Sequence, residues 1–422
     1  MTETAAPARA PGRSSPAMRP LLIVAATVAV WTLPALIPSL PRLLGFDYAE
    51  KWFLDSYAIL AAGDAVRAGL NPEVPNPLDI LHRPHSYSDW WFVVERLGLT
   101  RADNFVVGLA WIAAFLVAAM LVLRARTPRA TVLSLLFLTS PVVVLAVFRA
   151  NNDLVVFVVL AAAALCLRGE STARIVAAAA LVALATGLKF YPAVAAAFVV
   201  LLRPRPRLWL GGAIAAGLVG LALADVWSSI GRGEFRIPID MHKTGMGVLF
   251  SDLGWSGRAV QAGGALGLAA AGLACALRGG TGGLAGGGRG PGERYAFLIG
   301  AITLVACFVA GVSHAYRWIL ALLLVPWLDS LLDDPDRGRR RAAWATLILL
   351  AFVCWGDGLL CLGLNLFWAA PDMPAVERVE KLWRLATQPL HWALVALLAG
   401  WLWSALLAAV PVALGSDRRE AT

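Results

Sequence analysis

Apolar runs recur along almost the whole chain, near residues 21–41, 105–123, 131–148, 154–167, 173–188, 191–202, 208–227, 258–277, 295–312, 316–332, 342–363 and 389–412. A membrane-crossing helix takes about 20 mostly apolar residues, so the pattern predicts an all-α polytopic membrane protein with about 12 transmembrane helices, within a range of roughly 10 to 13. Hydrophobic residues make up 59% of the 422 and charged residues only 15%, against roughly 25% charged in soluble proteins. A soluble enzyme of two or three domains, a disordered chain and a disulfide-stapled module are all excluded by those figures. The five cysteines, Cys166, Cys275, Cys307, Cys354 and Cys361, fall inside apolar runs with no CxxC pair and no Cys/His cluster, and read as helix filler. Residues 1–20 read as a disordered cytoplasmic tail, 21–412 as one membrane domain and 413–422 as a second tail. The run at 21–41 carries Pro34, Pro38 and Pro41 and no convincing small-residue cleavage site. That favours a retained first helix over a signal peptide.

The net charge of +9 is explained by where the charges lie. Alternating the spans from a cytoplasmic N-terminus sorts the connectors into two sets. One set comprises 1–20, 124–130, 168–172, 203–207, 278–294, 333–341 and the C-terminal tail, with Arg174 and Asp329 at its borders. It holds 20 basic and 9 acidic residues (20 − 9 = +11), and everything else holds 16 and 18 (16 − 18 = −2). Lys and Arg near span ends in short loops mark the cytoplasmic side. Both termini are therefore expected in the cytoplasm, with the protein in the plasma (inner) membrane, and nucleic-acid binding loses its support. The glycine-rich stretch 278–294 reads as a flexible linker rather than a phosphate cradle. The opposite set contains loops at 42–104, 228–257 and 364–388 and tight turns at 149–153, 188–192 and 313–317, rich in Asp, Asn, His, Tyr and Trp. Ordered-looking loops of that length are usually functional, so the extracytoplasmic face is the expected working face.

In the first of those loops, residues 48–68 lack proline and carry helical periodicity, which predicts an amphipathic helix ending at Gly69. Asp64 has Arg67 three residues on, and Asp47 has Lys51 four residues on. Asp55 instead shares the apolar stripe with Trp52, Ile59, Ala62 and Val66. A carboxylate on an apolar face near a membrane is costly, which suggests a general base with a raised pKa; the alternatives are a solvated interfacial acid at Asp55, or Asp47 as the base. Downstream, His82, Arg83, His85, Tyr87, Asp89, Trp90 and Trp91 combine polar and aromatic groups. His85, Tyr87 and Asp89 are candidates for holding a sugar, whereas Trp90 and Trp91 read as interfacial anchors. Arg149 and Lys189, and with them Arg317, sit at the outer edge against the positive-inside trend. They suit a phosphate headgroup, or else snorkel toward lipid. Asn151, Asn152, Tyr191, His314 and Tyr316 lie in the same tight turns. His82 and His85 lack the companions of a metal site. No cofactor is expected, with a divalent metal left open. Walker, GxGxxG and GxSxG motifs are all missing.

Asp55, Tyr57, Ala58 and Gly69, followed by Asn151-Asn152 and the segment from Gly187 to Pro192 with Lys189 and Tyr191, resemble the motifs of the GT-C class of membrane glycosyltransferases. The nearest likeness is to family 87, the polyprenol-phosphate-mannose-dependent mannosyltransferase type, over roughly residues 20–330. The pair Asn151-Asn152 stands where that family has Gln-Asn. The resemblance implies a polyprenyl-phosphate sugar donor and a lipid or glycan acceptor among the membrane lipids. It implies Asp55 as the base and Arg149, Lys189 or Arg317 on the leaving phosphate. The rival reading is a transporter or flippase for lipid-linked glycans, or a polymerase-type partner in envelope assembly. A transporter should show repeated halves and midplane polar residues, and neither is evident here. On the enzyme reading, Asp55→Asn is expected to abolish transfer while leaving folding intact.

Overall fold

The computed structural model describes residues 18–46, 51–169, 171–201, 206–230, 243–255, 257–279, 281, 290–367 and 373–413. Most of the expected tails, the glycine-rich stretch and the middles of the second and third long loops lie outside the described residues, as does Asp47. In chain order the helices are α1 (Met18–Leu36), α2 (Leu40–Leu43), α3 (Leu54–Arg67), α4 (Val93–Arg96), α5 (Asn104–Leu123), α6 (Pro128–Leu138), α7 (Pro141–Phe148) and α8 (Asp153–Cys166). They continue as α9 (Thr172–Leu188), α10 (Pro206–Ile230), α11 (Met246–Asp252), α12 (Arg258–Leu277), α13 (Pro291–Val309), α14 (Val325–Leu331), α15 (Arg337–Phe367) and α16 (Met373–Ala413). Two-residue strands β1 (Lys243–Thr244) and β2 (Ser313–His314) pair antiparallel, and 3-10 segments run over Tyr191–Leu201 and Ala315–Leu323. This is an all-α polytopic membrane protein.

Six helices among the described residues are long and apolar enough to span a bilayer, or seven if the bent pair α6–α7 is one span. Asp153–Cys166, Thr172–Leu188 and Gly212–Asp225 are shorter apolar helices. The twelve runs of the sequence are therefore not twelve long helices. The run at 191–202 is a 3-10 segment of 11 residues, about 22 Å long at its tighter rise, against a hydrocarbon core of about 30 Å. The run at 316–332 is split between a 3-10 segment and α14, and Trp318 through Val325 are almost fully buried. Such a run is apolar because it is packed in protein, and hydropathy alone cannot separate that from contact with lipid.

The break between α6 and α7 follows from Ser140-Pro141, where Pro has no N–H to donate and Ser140 is extended. The axes differ by 53°, which frees the last carbonyls of α6 inside an apolar core. All are accounted for. Thr139 Oγ1 donates to Leu135 O (2.7 Å) and Ser140 Oγ to Phe137 O (2.8 Å). The indoles of Trp355 and Trp31 donate to Leu136 O (2.9 Å) and Leu138 O (2.8 Å). An unsatisfied buried carbonyl costs about 1–3 kcal/mol, so Trp31→Phe should lower stability by that amount. A thermal midpoint in detergent equal to that of the wild type would refute this role for the indole.

Where they are described, the two connector sets separate to opposite ends of the helices. Arg129 in 124–130 reaches Asp329 (2.6 Å) and Asp333 (2.8 Å), Arg19 donates to the Arg126 carbonyl, and Arg168 donates to Leu121 O (3.1 Å). At the other end, α3, the turn after α7, the C-terminus of α9 and β2 converge.

Candidate active site

The entry to α3 is fixed by a segment distant in sequence. Phe53 N donates to Phe148 O and Asp55 N to Arg149 O, both at 3.0 Å, so the first turn of α3 docks on the C-terminal end of α7. Phe53 and Ala150 both hold a left-handed backbone (φ +55° and +42°) without being glycine, a conformation costing about 1–2 kcal/mol. Strain on both sides of one contact is the kind that functional sites retain. The contact is between side chains. Arg149 Nε and Nη2 donate to the two oxygens of Asp55 at 2.9 and 2.8 Å, and Asn151 Nδ2 adds a third bond at 2.6 Å. Arg83 Nη1 stands 3.6 Å from Asp55 Oδ1, while its other nitrogens hold Asp79 and the Leu54 carbonyl.

A second carboxylate anchors the neighbouring cluster. Asp153 begins α8 and its Oδ1 accepts from Lys189 Nζ (2.5 Å) and Tyr191 OH (2.9 Å), with Arg317 Nε 4.0 Å from Oδ2. Asn151 links the two, since its Oδ1 accepts from the Asp153 backbone N–H (2.8 Å) while its amide holds Asp55. Aromatic rings fill the space between. Lys189 Nζ lies 5.8 Å from the centroids of both Tyr87 and Tyr316, and the Arg317 guanidinium stacks on Tyr191 at 4.8 Å. His314 stacks flat on Tyr316 (4.8 Å, 8°), and Lys243 on the paired strand donates to its Nδ1 (2.7 Å). That bond leaves the ring proton on Nε2. Burial, then the nearby Lys243 and Arg317, hold the imidazole well below the usual histidine range, so it is neutral.

Of the residues singled out from sequence, Asp55, Arg149, Asn151, Lys189, Tyr191, Arg317, Tyr87, His314 and Tyr316 come together. Asn152 is fully buried beside them with both side-chain amide atoms unpartnered. His85 packs against Tyr87 and Phe92, and Asp89 is exposed at the head of a 3-10 turn. Trp91 is no interfacial anchor. It is buried, and its indole donates to Leu188 O (3.0 Å), capping the end of α9 just before Lys189. Asp64 does pair with Arg67 (2.9 Å) as its spacing predicts. Sequence reasoning gave Arg83, Asp153 and Lys243 no place in the site. Asp153 had a signal, because buried Lys189 and Arg317 demand a nearby carboxylate. Among the described residues no three His, Cys, Asp or Glu side chains converge as a metal site would.

The raised pKa expected of Asp55 is reversed. Burial, with the residue only 2% exposed, pushes the carboxyl up, but Arg149, Asn151 and Arg83 together outweigh it and bring it from 3.8 to about 2. The sign follows: a folded value below the unfolded one adds stability that is fully present above 3.8 and is lost as pH falls toward 2. Asp55 is ionised throughout the neutral range. The rate of the free enzyme should accordingly show no acid limb from Asp55 between about pH 5 and about pH 8. A limb in that window that shifts in Asp55→Glu would contradict the assignment.

A buried, ionised carboxylate flanked by guanidinium and ammonium groups at one end of a membrane helix bundle suits group transfer at a lipid surface. Residues 99–236, 138 of the chain's 422, match the family model of glycosyltransferase family 87. The chain resembles that family, and the match supports a membrane glycosyltransferase. The matched segment carries Arg149, Asn151, Asp153, Lys189 and Tyr191, while Asp55, His314 and Arg317 lie outside it. No curated protein matches the chain.

Proposed function

We propose that the protein is a GT-C-type hexosyltransferase of the plasma membrane, with cytoplasmic termini. It would take a hexosyl group, mannosyl on the family resemblance, from a polyprenyl-phosphate donor at the extracytoplasmic face. The acceptor is a hydroxyl of a lipid or glycan. The observation that carries this reading is the meeting of Asp55 with Arg149, Arg83, Lys189 and Arg317 in one buried, aromatic-lined patch. With Lys243 on His314, five cations stand in the patch against three carboxylates, Asp55, Asp79 and Asp153, among the described residues. A phosphodiester supplies negative charge to a patch with a cationic excess.

The proposed step balances simply. The acceptor O–H gives its proton to Asp55 as its oxygen bonds the anomeric carbon, and the bond from that carbon to the phosphate oxygen breaks with its electron pair. Polyprenyl phosphate leaves with the configuration inverted. Arg317 and Lys189 face the growing charge on that phosphate. Arg149 links the two halves of the step. Bound bidentate to Asp55 it keeps the carboxylate ionised but weakly basic, and a donor phosphate competes for the same fork. Each bond Arg149 gives up to phosphate raises the basicity of Asp55 when a proton has to be taken. Gathering of the polar groups at one end of the bundle, rather than at midplane, speaks against a transporter.

The test is transfer in lipid nanodiscs from synthetic polyprenyl-phosphate hexoses to a membrane lipid extract. Product should form with at least one such donor and not with nucleotide sugars. Transfer from a nucleotide sugar alone would overturn the proposal.

A further inference from the structure

A second polar cluster lies apart from Asp55, on α16. Gln388 and His391 are 2% and 4% exposed, yet Gln388 Oε1, His391 Nε2 and the indole Nε1 of Trp392 are buried without a hydrogen-bond partner among the described residues. Three orphaned polar atoms on one helical turn are unusual, since a buried polar group that nothing satisfies is destabilising. Positions 388, 391 and 392 share one helix face. Trp392 fixes what that face meets, because its ring stands edge-on to Phe250 of α11 (5.8 Å, 63°) and Phe308 of α13 (5.7 Å, 88°). One turn toward the end of α16, Arg384 closes the cluster with a two-bond ion pair to Asp252 of α11 (3.0 and 3.2 Å). The last apolar run of the sequence starts at 389, so the cluster sits at the start of that run.

The chemistry of the orphaned atoms selects the ligand. His391 Nδ1 donates to Thr387 O (3.1 Å), which in the neutral ring makes Nε2 the acceptor. The set is thus two acceptors and one donor beside an aromatic ring. A phosphodiester has no proton for the acceptors, and a cation cannot accept from the indole. Hydroxyl groups do both, and sugar rings present several hydroxyls along with C–H faces that pack on indole. The cluster also connects to the Asp55 site. Phe308 follows Cys307, which lies beside Arg317, and α11 follows directly from β1, which carries Lys243 to His314.

We propose that Gln388, His391 and Trp392 form a carbohydrate subsite for the acceptor glycan, holding a sugar beyond the one whose hydroxyl reaches Asp55. The acceptor part of this rests on the transfer reaction proposed above, whereas the existence of the subsite does not. The probe is an octyl glycoside carrying a diazirine on its sugar ring, applied to the full chain in nanodiscs made without glycoside detergent. Labelling is expected within the peptide around 384–395, competed by plain octyl glycoside and not by octyl phosphate. It should fall by at least about tenfold in Gln388→Met and Trp392→Phe. Because Gln388→Met removes an unsatisfied group, its thermal midpoint should hold or rise, which separates lost binding from lost fold. In transfer assays the same variants should raise the acceptor KM at least about tenfold and leave the donor KM unchanged. No labelling of that peptide, labelling indifferent to the variants, or a midpoint that drops would mean that water or internal packing satisfies these atoms, and would overturn the subsite. An equal rise in donor KM would overturn its assignment to the acceptor. Labelling as expected from a protein that transfers no polyprenyl-linked sugar would leave the subsite standing and sink the reaction instead.

Discussion

Asp55→Asn is expected to reduce sugar transfer by about 10²–10⁴-fold, the usual worth of a general base, and to lose stability with it. The second half of that result departs from what the sequence implies. Read alone, Asp55 is an isolated acid on an apolar stripe, and amidating it should be harmless to the fold. In the structure it neutralises Arg149 bidentate and stands against Arg83 as well. Removing the charge leaves two guanidiniums facing an amide in a buried site, and breaking a buried pair from one side costs about 3–5 kcal/mol. Loss of activity in Asp55→Asn is therefore uninformative unless folding is measured alongside. Asp55→Glu resolves the matter: it keeps the charge but moves the carboxylate by one methylene. Its thermal midpoint should stay near that of the wild type while transfer falls by about 10²-fold, because proton transfer is strict about geometry. Wild-type transfer in either variant would remove Asp55 from the reaction.

Lys189→Met should lower kcat by about 10²–10³-fold if Lys189 faces the charge that grows on the leaving phosphate, with a smaller effect on donor KM. Its side chain is fixed by Asp153 and by Tyr87 and Tyr316 on either side. Arg317 remains beside Asp153 in the variant, so the carboxylate is not left alone. Lys189→Arg keeps the charge but must fit a planar fork where a point charge stood, and should recover only part of the rate. A Lys189→Met enzyme with unchanged kcat and a raised midpoint would assign the ammonium to structure alone.

The sequence carried the parts of this picture that depend on local period and composition. Helix α3, the burial of Asp55, the pairing of Asp64 with Arg67 and the segregation of the two connector sets could all be read from spacing and charge. What it did not carry depends on which distant segments meet. Asp55 and Arg149 are 94 positions apart, and nothing in either segment says that the forked bond between them forms. The raised pKa expected of Asp55 failed for that reason: burial was legible, but the cation that outweighs it was not. Asp153 reads as an ordinary acid at a helix start until Lys189 and Tyr191 close on it. Which apolar runs cross the bilayer as single long helices was not legible, because a run such as 316–332 is equally apolar whether it faces lipid or protein.

The bend between α6 and α7 has a mechanical consequence. Every residue of α7 is buried, whereas α6 presents Val132 (64% exposed) on its outer surface. A bilayer thicker or thinner than the protein's apolar belt tilts helices that touch lipid, at a cost of fractions of a kcal/mol per Å of mismatch. Here such a force acts on α6 and is taken up at Ser140-Pro141, just beyond the Leu136 and Leu138 carbonyls held by two tryptophans on other helices. Helix α7, and with it Arg149 and the turn that carries Asn151, is insulated from the lipid. The end that carries Asp55 and Arg149 should keep its geometry across membranes of different thickness, so that transfer measured in short-chain and long-chain lipids is expected to differ little in kcat.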